Sequence, residues 1–344
     1  MREYKLAIIG FGNVAQGFTS ILSDRAEVLA RQYGAHFTIV AVSDIQKGSV
    51  YSSWGLKPSE LLDAAKNGRL DQVPGDHHGW DALTTILESN ANTVLELSYT
   101  DLKTGQPALN YIETALKSGK HVVTTNKGPI ALRYKALLEL ARQHAVEIGA
   151  EGTVMSGTPS LHLGMEFLSA AGIRKVQGIF NGTTNFILTQ MSLGMKYDEA
   201  LMRAQSLGYA EADPTGDVEG YDAAGKVVIL GNMLMNVSLS MDEVDRQGIT
   251  HLTEKDIIEA RQAGECWKLI GTLEKDDHKT YASVRPTRLP IDHPLASVNG
   301  ATNAITYSTE LLGDITLIGP GAGRIETGYA LLEDLLAIHR RQLI

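Results

Sequence analysis

The sequence predicts an α/β domain with a doubly wound parallel sheet, followed by an α+β domain with an open, mostly antiparallel sheet. In residues 1–150, short apolar runs alternate with segments of helical periodicity, which is typical of a parallel sheet covered on both faces. From about Glu151, predicted helices dominate and strand-like runs follow, which favours antiparallel strands with helices on one side. We therefore predict a first domain over 1–150 with 320–344, and a second over 151–319.

The first sheet is predicted from a series of short apolar runs. These are Leu6–Ile9, Phe37–Val42, Thr93–Leu97, His121–Thr124 and Val146–Ile148. The helices predicted between them are Val14–Tyr33, Leu61–Asn67, Trp80–Ser89, Pro107–Lys117 and Ile130–Gln143. Residues 46–80 hold several Gly and Pro and are predicted to be less regular, because these residues interrupt helices and strands.

The second domain is predicted to begin with helices and to end with strands. The predicted helices are Leu161–Ala170, Phe186–Leu193, Asp198–Leu207 and Asp222–Met235. The predicted strands are Val176–Phe180, Trp267–Leu273, Tyr281–Val284, Ala304–Tyr307 and Ile315–Ile318. An amphipathic helix at Ile325–Ile338 follows a glycine-rich turn and is predicted to return to the first domain. Because open sheets expose strand edges that tend to be paired, we expect a homodimer.

Composition excludes several classes of protein. With 31 Lys and Arg against 40 Asp and Glu, the formal charge is −9, which argues against a nucleic-acid partner. Cys266 is the only cysteine, so an intramolecular disulfide and a cysteine-ligated zinc site are excluded, and a reducing compartment, the cytoplasm, is expected. No apolar run reaches about 18 residues, so we expect no membrane span.

A glycine-rich turn follows the first predicted strand and opens the first helix. In Gly10-Phe-Gly12-Asn-Val-Ala15, Gly10 permits the tight turn, Gly12 lets a pyrophosphate approach the backbone, and Ala15 allows close packing. This position predicts a Rossmann-type dinucleotide site, although a generic tight turn is the alternative. The residues expected to contact the cofactor here are Phe11, Gly12, Asn13 and Val14.

Further cofactor contacts are predicted where later strands end. Asp44 closes the second strand and is the expected partner of a ribose hydroxyl, whereas nearby Lys47 would attract a 2′-phosphate, so NAD and NADP both remain open. Lys127 follows the strand His121–Thr124 and is expected at the carboxyl edge of the sheet, where ligands bind; a solvated loop lysine is the alternative. The residues expected to share that edge are Ser98 and Thr125.

An acidic segment over residues 208–226 is the most informative part of the sequence. Five carboxylates fall between Glu211 and Asp222, and Lys226 follows. Asp222 and Lys226 are four residues apart on a helix that continues with apolar residues, so their ion pair is predicted to point inward. A cleft lined by Glu211, Asp217 and Asp222 would bind an ammonium group, whereas an exposed acidic loop is the alternative.

Two smaller turns are also candidates. Asn181-Gly-Thr-Thr-Asn185 precedes an apolar helix, where Asn and Thr act as caps, and the same free amides would suit a substrate carboxylate. The turn from Glu151 to Thr158 holds small residues, and its carbonyl oxygens would suit a hard monovalent cation. From the residues alone it is simply a turn.

Taken together, these motifs closely resemble the homoserine dehydrogenase family over nearly the whole chain. They run in order from GFGNVAQGF through TTNKGPIA, EGTVMSGTP, NGTTNFIL, GYAEADPTGDVEGYDAAGKVVIL and HPLASVNGATNAI to GPGAG. The resemblance implies NAD(P)-linked interconversion of L-homoserine and L-aspartate 4-semialdehyde. The implied catalytic residues are Lys127, Lys226 and Asp222.

The resemblance also implies roles for the turns. Glu211 and Asp222 would hold the substrate amino group with support from Asp217, and Gly182 and Thr183 would lie near its carboxylate. A sodium ion is implied on the carbonyls of Glu151, Val154, Ser156 and Thr158. Gly323, in the closing motif, would approach the nicotinamide.

The sequence departs from the family pattern at Gly328, where alanine is usual, which affects helix packing more than chemistry. A C-terminal regulatory domain is not expected, nor is feedback inhibition by threonine through one. Two rival functions remain: an acylating semialdehyde dehydrogenase, which needs a cysteine nucleophile that only Cys266 offers, and a non-catalytic NAD(P)-binding sensor.

Overall fold

The chain folds around two sheets, each in its own compact unit. The computed structural model describes residues 2–276 and 279–343. The first unit is Met1–Gly157 with Gly323–Ile344, and the second is Thr158–Ala322. One sheet is largely parallel and the other largely antiparallel, as the fold class predicted from the sequence requires.

The first unit alternates strands with helices. Its strands are β1 (Arg2–Ile9), β2 (Ala35–Asp44), β3 (Gly48–Tyr51), β4 (His77–His78), β5 (Thr93–Glu96), β6 (His121–Thr124) and β7 (Ile148–Gly149). Its helices are α1 (Asn13–Val28), α2 (Pro58–Lys66), α3 (Ala82–Glu88), α4 (Ala108–Lys117), α5 (Lys127–Gln143) and the C-terminal helix (Arg324–Arg341). Helix α5 begins three residues earlier than predicted, so Lys127 is its first residue.

The strand order of this sheet, β4-β3-β2-β1-β5-β6-β7, determines where a ligand binds. Strands β2, β1, β5, β6 and β7 are parallel, and from β1 the sheet extends through β2 on one side and β5 on the other. Ligands of such sheets bind in the crevice beyond the carboxyl ends of the strands where the order reverses. The antiparallel pair β3–β4 was not predicted, because its strands are short and lie in the Gly- and Pro-rich stretch.

The C-terminal helix completes the core of the first unit. Its buried residues Leu331 and Leu335 join Phe18 of α1 in one apolar cluster. The two helices cross closely, since a Cβ on Gly17 would lie 2.1 Å from the Arg324 carbonyl oxygen and one on Gly328 would lie 2.5 Å from Phe18 N. Gly328 therefore serves packing at this crossing.

The second unit places helices against its sheet. The strands are β8 (Ile173–Ile179), β9 (Asp245–Arg246), β10 (Glu265–Lys275), β11 (Thr280–Pro290), β12 (Thr302–Thr309) and β13 (Gly313–Pro320). The helices are α6 (Ser160–His162), α7 (Gly182–Ser192), α8 (Tyr197–Ser206), α9 (Thr215–Val218), α10 (Tyr221–Leu234) and α11 (Glu254–Gln262). The strand order is β13-β12-β8-β10-β11-β9, antiparallel except where β11 meets β9.

Two helices of the second unit differ from expectation. The helix predicted over Leu161–Ala170 breaks into α6, a π-helical turn at Leu163–Phe167 and a 3₁₀ turn. Helix α11 was missed because it is highly charged and buries only Ile257 and Ala260, which leaves no apolar stripe to recognise. Within the part of the chain that the structure describes, no helix is long and apolar enough to cross a membrane.

Candidate active site

A cavity of about 470 Å³ opens at the carboxyl edge of the first sheet. It lies where the strand order reverses, between the ends of β1, β2 and β5. Gly12, Asp44 and Ser98, all predicted to contact a cofactor, line it, as does Lys47. Sequence reasoning missed the aromatic residues of the wall, Trp80 and Tyr111, because nothing in their spacing links them to the glycine turn.

The two glycines of the turn differ, because the backbone conformation requires glycine at position 10, whereas Gly12 faces open space. Gly10 has a φ of +89°, and a Cβ there would lie 2.4 Å from the Leu97 carbonyl oxygen. Gly12 caps α1 in an extended conformation, and a Cβ there would meet no atom within 4 Å. Asn13 and Val14 form the first turn of α1, whose backbone N–H groups suit a phosphate. The turn can therefore receive a pyrophosphate.

Asp44 connects this turn to the end of β2. Its Oδ2 accepts a hydrogen bond from Phe11 N at 2.8 Å, and its Oδ1 accepts from Gln46 N and Lys47 N at 3.0 and 2.9 Å. Lys47 Nζ lies 3.6 Å from the same carboxylate. Burial alone would raise the pKa of Asp44, but these N–H donors and the Lys47 charge outweigh it and lower the pKa. Asp44 is therefore an ionised carboxylate facing the cavity.

The ends of β5 and β6 lie side by side next to Lys127. Asn126 caps α5 through a hydrogen bond from Gly128 N, so Lys127 begins this helix at the sheet edge. The Asn126 side chain also donates to the carbonyl oxygens of Ser98 and Tyr99 at 3.3 and 3.0 Å. The structure thus brings the segments of Ser98 and Lys127 together, and Thr125 lies between β6 and the cap.

The turn that begins at Glu151 is buried and irregular. Glu151, Val154 and Ser156 are each at most 3% exposed. Glu151 N donates to Asp334 of the C-terminal helix at 3.0 Å, and Ser156 has a φ of +54°. Thr158, 6% exposed, begins the second unit, where its hydroxyl donates to the Pro320 carbonyl.

Gly323, predicted to approach the nicotinamide, is the N-cap residue of the C-terminal helix. Its φ is +140°, a region that favours glycine, and a Cβ there would lie 2.0 Å from Glu326 Oε2. The conformation of this turn therefore requires glycine independently of any ligand.

In the second unit, four polar side chains form one cluster. Asn181 Nδ2 donates to Asp217 Oδ1 at 2.6 Å and to Asp222 Oδ2 at 3.1 Å. Asp222 Oδ2 also lies 2.9 Å from Lys226 Nζ, and Lys226 donates to the Phe180 carbonyl at 2.6 Å. Lys226 is buried, so the ion pair faces inward as predicted and is not an exposed charge on a solvated loop.

The cluster contains two carboxylates, Asp217 and Asp222, whose like charges repel each other. Burial raises the pKa of Asp217, and the neighbouring Asp222 charge raises it further, whereas Asn181, Thr183 and Lys226 act in the opposite direction. A further positive group would relieve the repulsion between the carboxylates. The arrangement therefore suits the binding of an ammonium group.

The remaining predicted substrate residues are placed differently. Gly182 and Thr183 form the first turn of α7, and the Thr183 hydroxyl donates to the Tyr209 carbonyl at 2.5 Å. Glu211 is exposed, and the contacts that join Asn181, Asp217, Asp222 and Lys226 do not include it. Asn181 was predicted only as a cap, which it is, since its Oδ1 accepts from Thr184 N at 2.9 Å.

Comparison with protein families covers both units. The family model described as homoserine dehydrogenase, NAD binding domain, matches residues 10–151, and the one described as homoserine dehydrogenase matches residues 159–336. The NAD(+)-dependent homoserine dehydrogenase of Pseudomonas canavaninivorans is 45% identical over 345 residues, which cover 99% of this chain and 97% of that protein. Homoserine dehydrogenase of Methanocaldococcus jannaschii is 38% identical over 97% of this chain and 98% of its own.

Solved structures give the same result. The homoserine dehydrogenase of Thiobacillus denitrificans matches with a TM-score of 0.86 and 30% identity, over 100% of this chain and 74% of that one. A hyperthermophilic archaeal homoserine dehydrogenase mutant in complex with NADPH matches with a TM-score of 0.85 and 29% identity, over 99% and 98% of the two chains.

Proposed function

The chain belongs to the homoserine dehydrogenase family, and on that premise we propose how its residues share the work of the reaction. The protein is an NAD(P)-dependent oxidoreductase that interconverts L-homoserine and L-aspartate 4-semialdehyde by hydride transfer. This function displaces both rivals, the acylating dehydrogenase and the non-catalytic sensor. The single cysteine agrees, since burial raises the pKa of the Cys266 thiol and so disfavours a thiolate nucleophile.

The nicotinamide cofactor supplies the hydride acceptor and donor when bound, and the first unit orients it. Gly12, Asn13 and Val14 would hold the pyrophosphate through backbone N–H groups, and Phe11, whose own N–H donates to Asp44, would place the turn against it. Ser98, Thr125, Lys127 and Gly323 would contact the remainder. The open space in front of Gly12 supports this assignment. Residues 1–150 with 320–344 are the proposed cofactor domain, and 151–319 the proposed substrate and dimerisation domain.

NAD is proposed as the preferred cofactor over NADP. The ionised Asp44 carboxylate lies at the end of β2, where an acidic residue accepts a hydrogen bond from the 2′-hydroxyl of NAD and repels a 2′-phosphate. Lys47, the residue that would attract that phosphate, already lies 3.6 Å from Asp44. The relative from Pseudomonas canavaninivorans is also named as NAD(+)-dependent.

The cluster of the second unit is the proposed substrate site. Asp217 and Asp222 would bind the ammonium of homoserine together with Glu211, whose exposed segment would have to fold over the substrate. The amides of Gly182 and Thr183, at the start of α7, would bind its carboxylate. The hydrogen-bonded cluster of Asn181, Asp217, Asp222 and Lys226 is the single observation that carries the substrate assignment.

Lys226 and Lys127 are the proposed catalytic lysines. In the direction that reduces the semialdehyde, Lys226, charged in its ion pair with Asp222 at 2.9 Å, would donate a proton to the oxygen that becomes the homoserine hydroxyl. In the reverse direction the proton of that hydroxyl would return to Lys226. Lys127, at the start of α5, would hold the reacting oxygen during this step. Burial of Lys226 limits access of water to the transferred proton.

A monovalent cation, sodium, is proposed on the carbonyl oxygens of Glu151, Val154, Ser156 and Thr158. The turn is buried and irregular, and oxygen ligands suit a hard cation. Its role would be to hold the turn, and a shift in thermal midpoint with sodium but not with potassium tests it.

A homodimer in the cytoplasm is proposed as the working form. The edge strand β13 leaves Ile318 52% exposed, and neighbouring Leu311 and Leu312 are also exposed, which favours pairing with a second copy. Molar mass measured by light scattering distinguishes a dimer from a monomer.

A spectrophotometric assay with homoserine and either NAD or NADP tests the proposal. We expect turnover with both cofactors and a kcat/KM that is higher with NAD. An Asp44→Ala variant should lose this preference, since the carboxylate that repels the 2′-phosphate is gone. Turnover of an acylating substrate in place of homoserine, abolished by Cys266→Ser, would overturn the function.

A further inference from the structure

Glu96 is a fully buried carboxyl at the carboxyl end of β5, a strand whose other residues are uncharged. It ends a strand directly opposite Thr124 at the end of β6. The surrounding edge of the sheet holds the glycine turn, Ser98 and the start of α5. A buried carboxyl is costly unless its hydrogen bonds are satisfied, so its partners indicate what it does.

Both oxygens of Glu96 are engaged by residues of this edge. Oε1 accepts from the backbone N–H of Ser98 at 2.9 Å and from the Ser98 hydroxyl. Oε2 lies 3.1 Å from Thr124 Oγ1, which in turn accepts from Asn126 N at 2.9 Å. One side chain thus connects the segment after β5 with the segment after β6.

Each of these segments leads to a proposed functional residue. Leu97 and Ser98 line the cavity, and the Leu97 carbonyl oxygen is the atom that a Cβ on Gly10 would strike. On the other side, Asn126 caps the helix that begins at Lys127. Glu96 therefore holds the wall of the cavity at Ser98 at a fixed distance from the helix that begins at Lys127.

We propose that Glu96 is a positioning residue that fixes Ser98 and the Thr124–Lys127 segment for cofactor binding, an inference that rests on the proposed roles of Ser98 and Lys127. The proton count around it supports a neutral acid. Thr124 Oγ1 carries one hydrogen and lies 2.9 Å from the Glu96 carbonyl oxygen, so a proton on Oε2 completes the second contact. Burial also raises the pKa of Glu96, which favours the same form.

Three variants and one control test this. Glu96→Gln keeps an acceptor for Ser98 and a donor for Thr124, Glu96→Asp is one methylene too short to reach both, and Glu96→Ala reaches neither. Thr93→Ala removes a buried hydroxyl at the other end of the same strand, away from the cavity. The measurements are the Kd of NAD by titration calorimetry and the kcat and KM with homoserine.

We expect Glu96→Gln to bind NAD within about threefold of the original protein, and the Asp and Ala variants to bind about 10- to 100-fold more weakly. Thr93→Ala should lower stability without changing the Kd. If Glu96→Ala does not fold, Glu96→Asp carries the test. An unchanged Kd in the folded Asp or Ala variant, or an equal loss in Thr93→Ala, would overturn the proposal. Because the titration needs no turnover, it tests Glu96 even if homoserine proved not to be the substrate.

Discussion

The two units present different kinds of atoms at their sites. In the first unit, the glycine turn and the start of α1 offer backbone N–H groups. The carboxylate of Asp44, which faces the same cavity, is itself held by three backbone N–H groups. In the second, the side chains of Asn181, Asp217, Asp222 and Lys226 are linked in a chain by three contacts of 2.6–3.1 Å. A site built from backbone N–H groups should keep its affinity for a ligand after most side-chain substitutions, except those at its glycines. A site built from side chains should lose affinity when any one of them is removed.

Substituting the two glycines of the turn separates folding from binding in the backbone site. Gly10→Ala forces an alanine into a φ of +89° and against the Leu97 carbonyl oxygen, so we expect a loss of about 2–5 kcal/mol in the free energy of unfolding and no measurable NAD binding. Gly12→Ala meets no protein atom, so its stability should stay unchanged while its Kd for NAD rises about tenfold or more. Denaturant unfolding and calorimetry measure both. Unchanged NAD binding by Gly12→Ala would show that the backbone of the glycine turn is not the binding site.

Substituting Asn181 tests the side-chain cluster. Asn181→Ala removes the donor that lies between Asp217 and Asp222, and the KM for homoserine should rise about 10- to 100-fold. Asn181→Ser serves as the matched control for the cap of α7, because serine caps a helix but cannot bridge the carboxylates. We expect the serine variant to recover stability but not the KM. Recovery of the KM as well would show that the bridge has no role.

The smallest effect is expected at the helix crossing of the first unit. Gly328→Ala would bring a Cβ within 2.5 Å of Phe18 N, so the helices must separate and the free energy of unfolding should fall by about 1–3 kcal/mol. Because the position serves packing, kcat and the KM for homoserine should not change. A variant as stable as the original in thermal unfolding would show that the crossing is not tight.

The sequence was most informative where topology alone fixes a position. Parallel strands share one carboxyl edge, so the sequence alone predicts that Gly12, Asp44, Ser98 and Lys127 lie at the same edge. The four-residue spacing of Asp222 and Lys226 likewise predicted their ion pair from helix geometry.

The rest depended on contacts between residues distant in sequence. Asn181 meets Asp217 and Asp222 across 36 and 41 residues, and no local pattern indicates such a contact. The role of Glu96 could not be predicted from the strand that contains it, because its burial depends on partners from a neighbouring strand. Glu211 could not be separated from the other carboxylates of the acidic segment, since an irregular loop has no periodicity to orient a side chain.

Turnover and NADH binding measured on Lys226→Ala test most directly whether the second unit's cluster performs the chemistry. We predict a turnover number lower by about 10²- to 10⁴-fold with homoserine, as expected for loss of a positioned base, and a Kd for NADH unchanged from the original protein. A turnover number equal to that of the original protein would show that Lys226 takes no part in the chemistry.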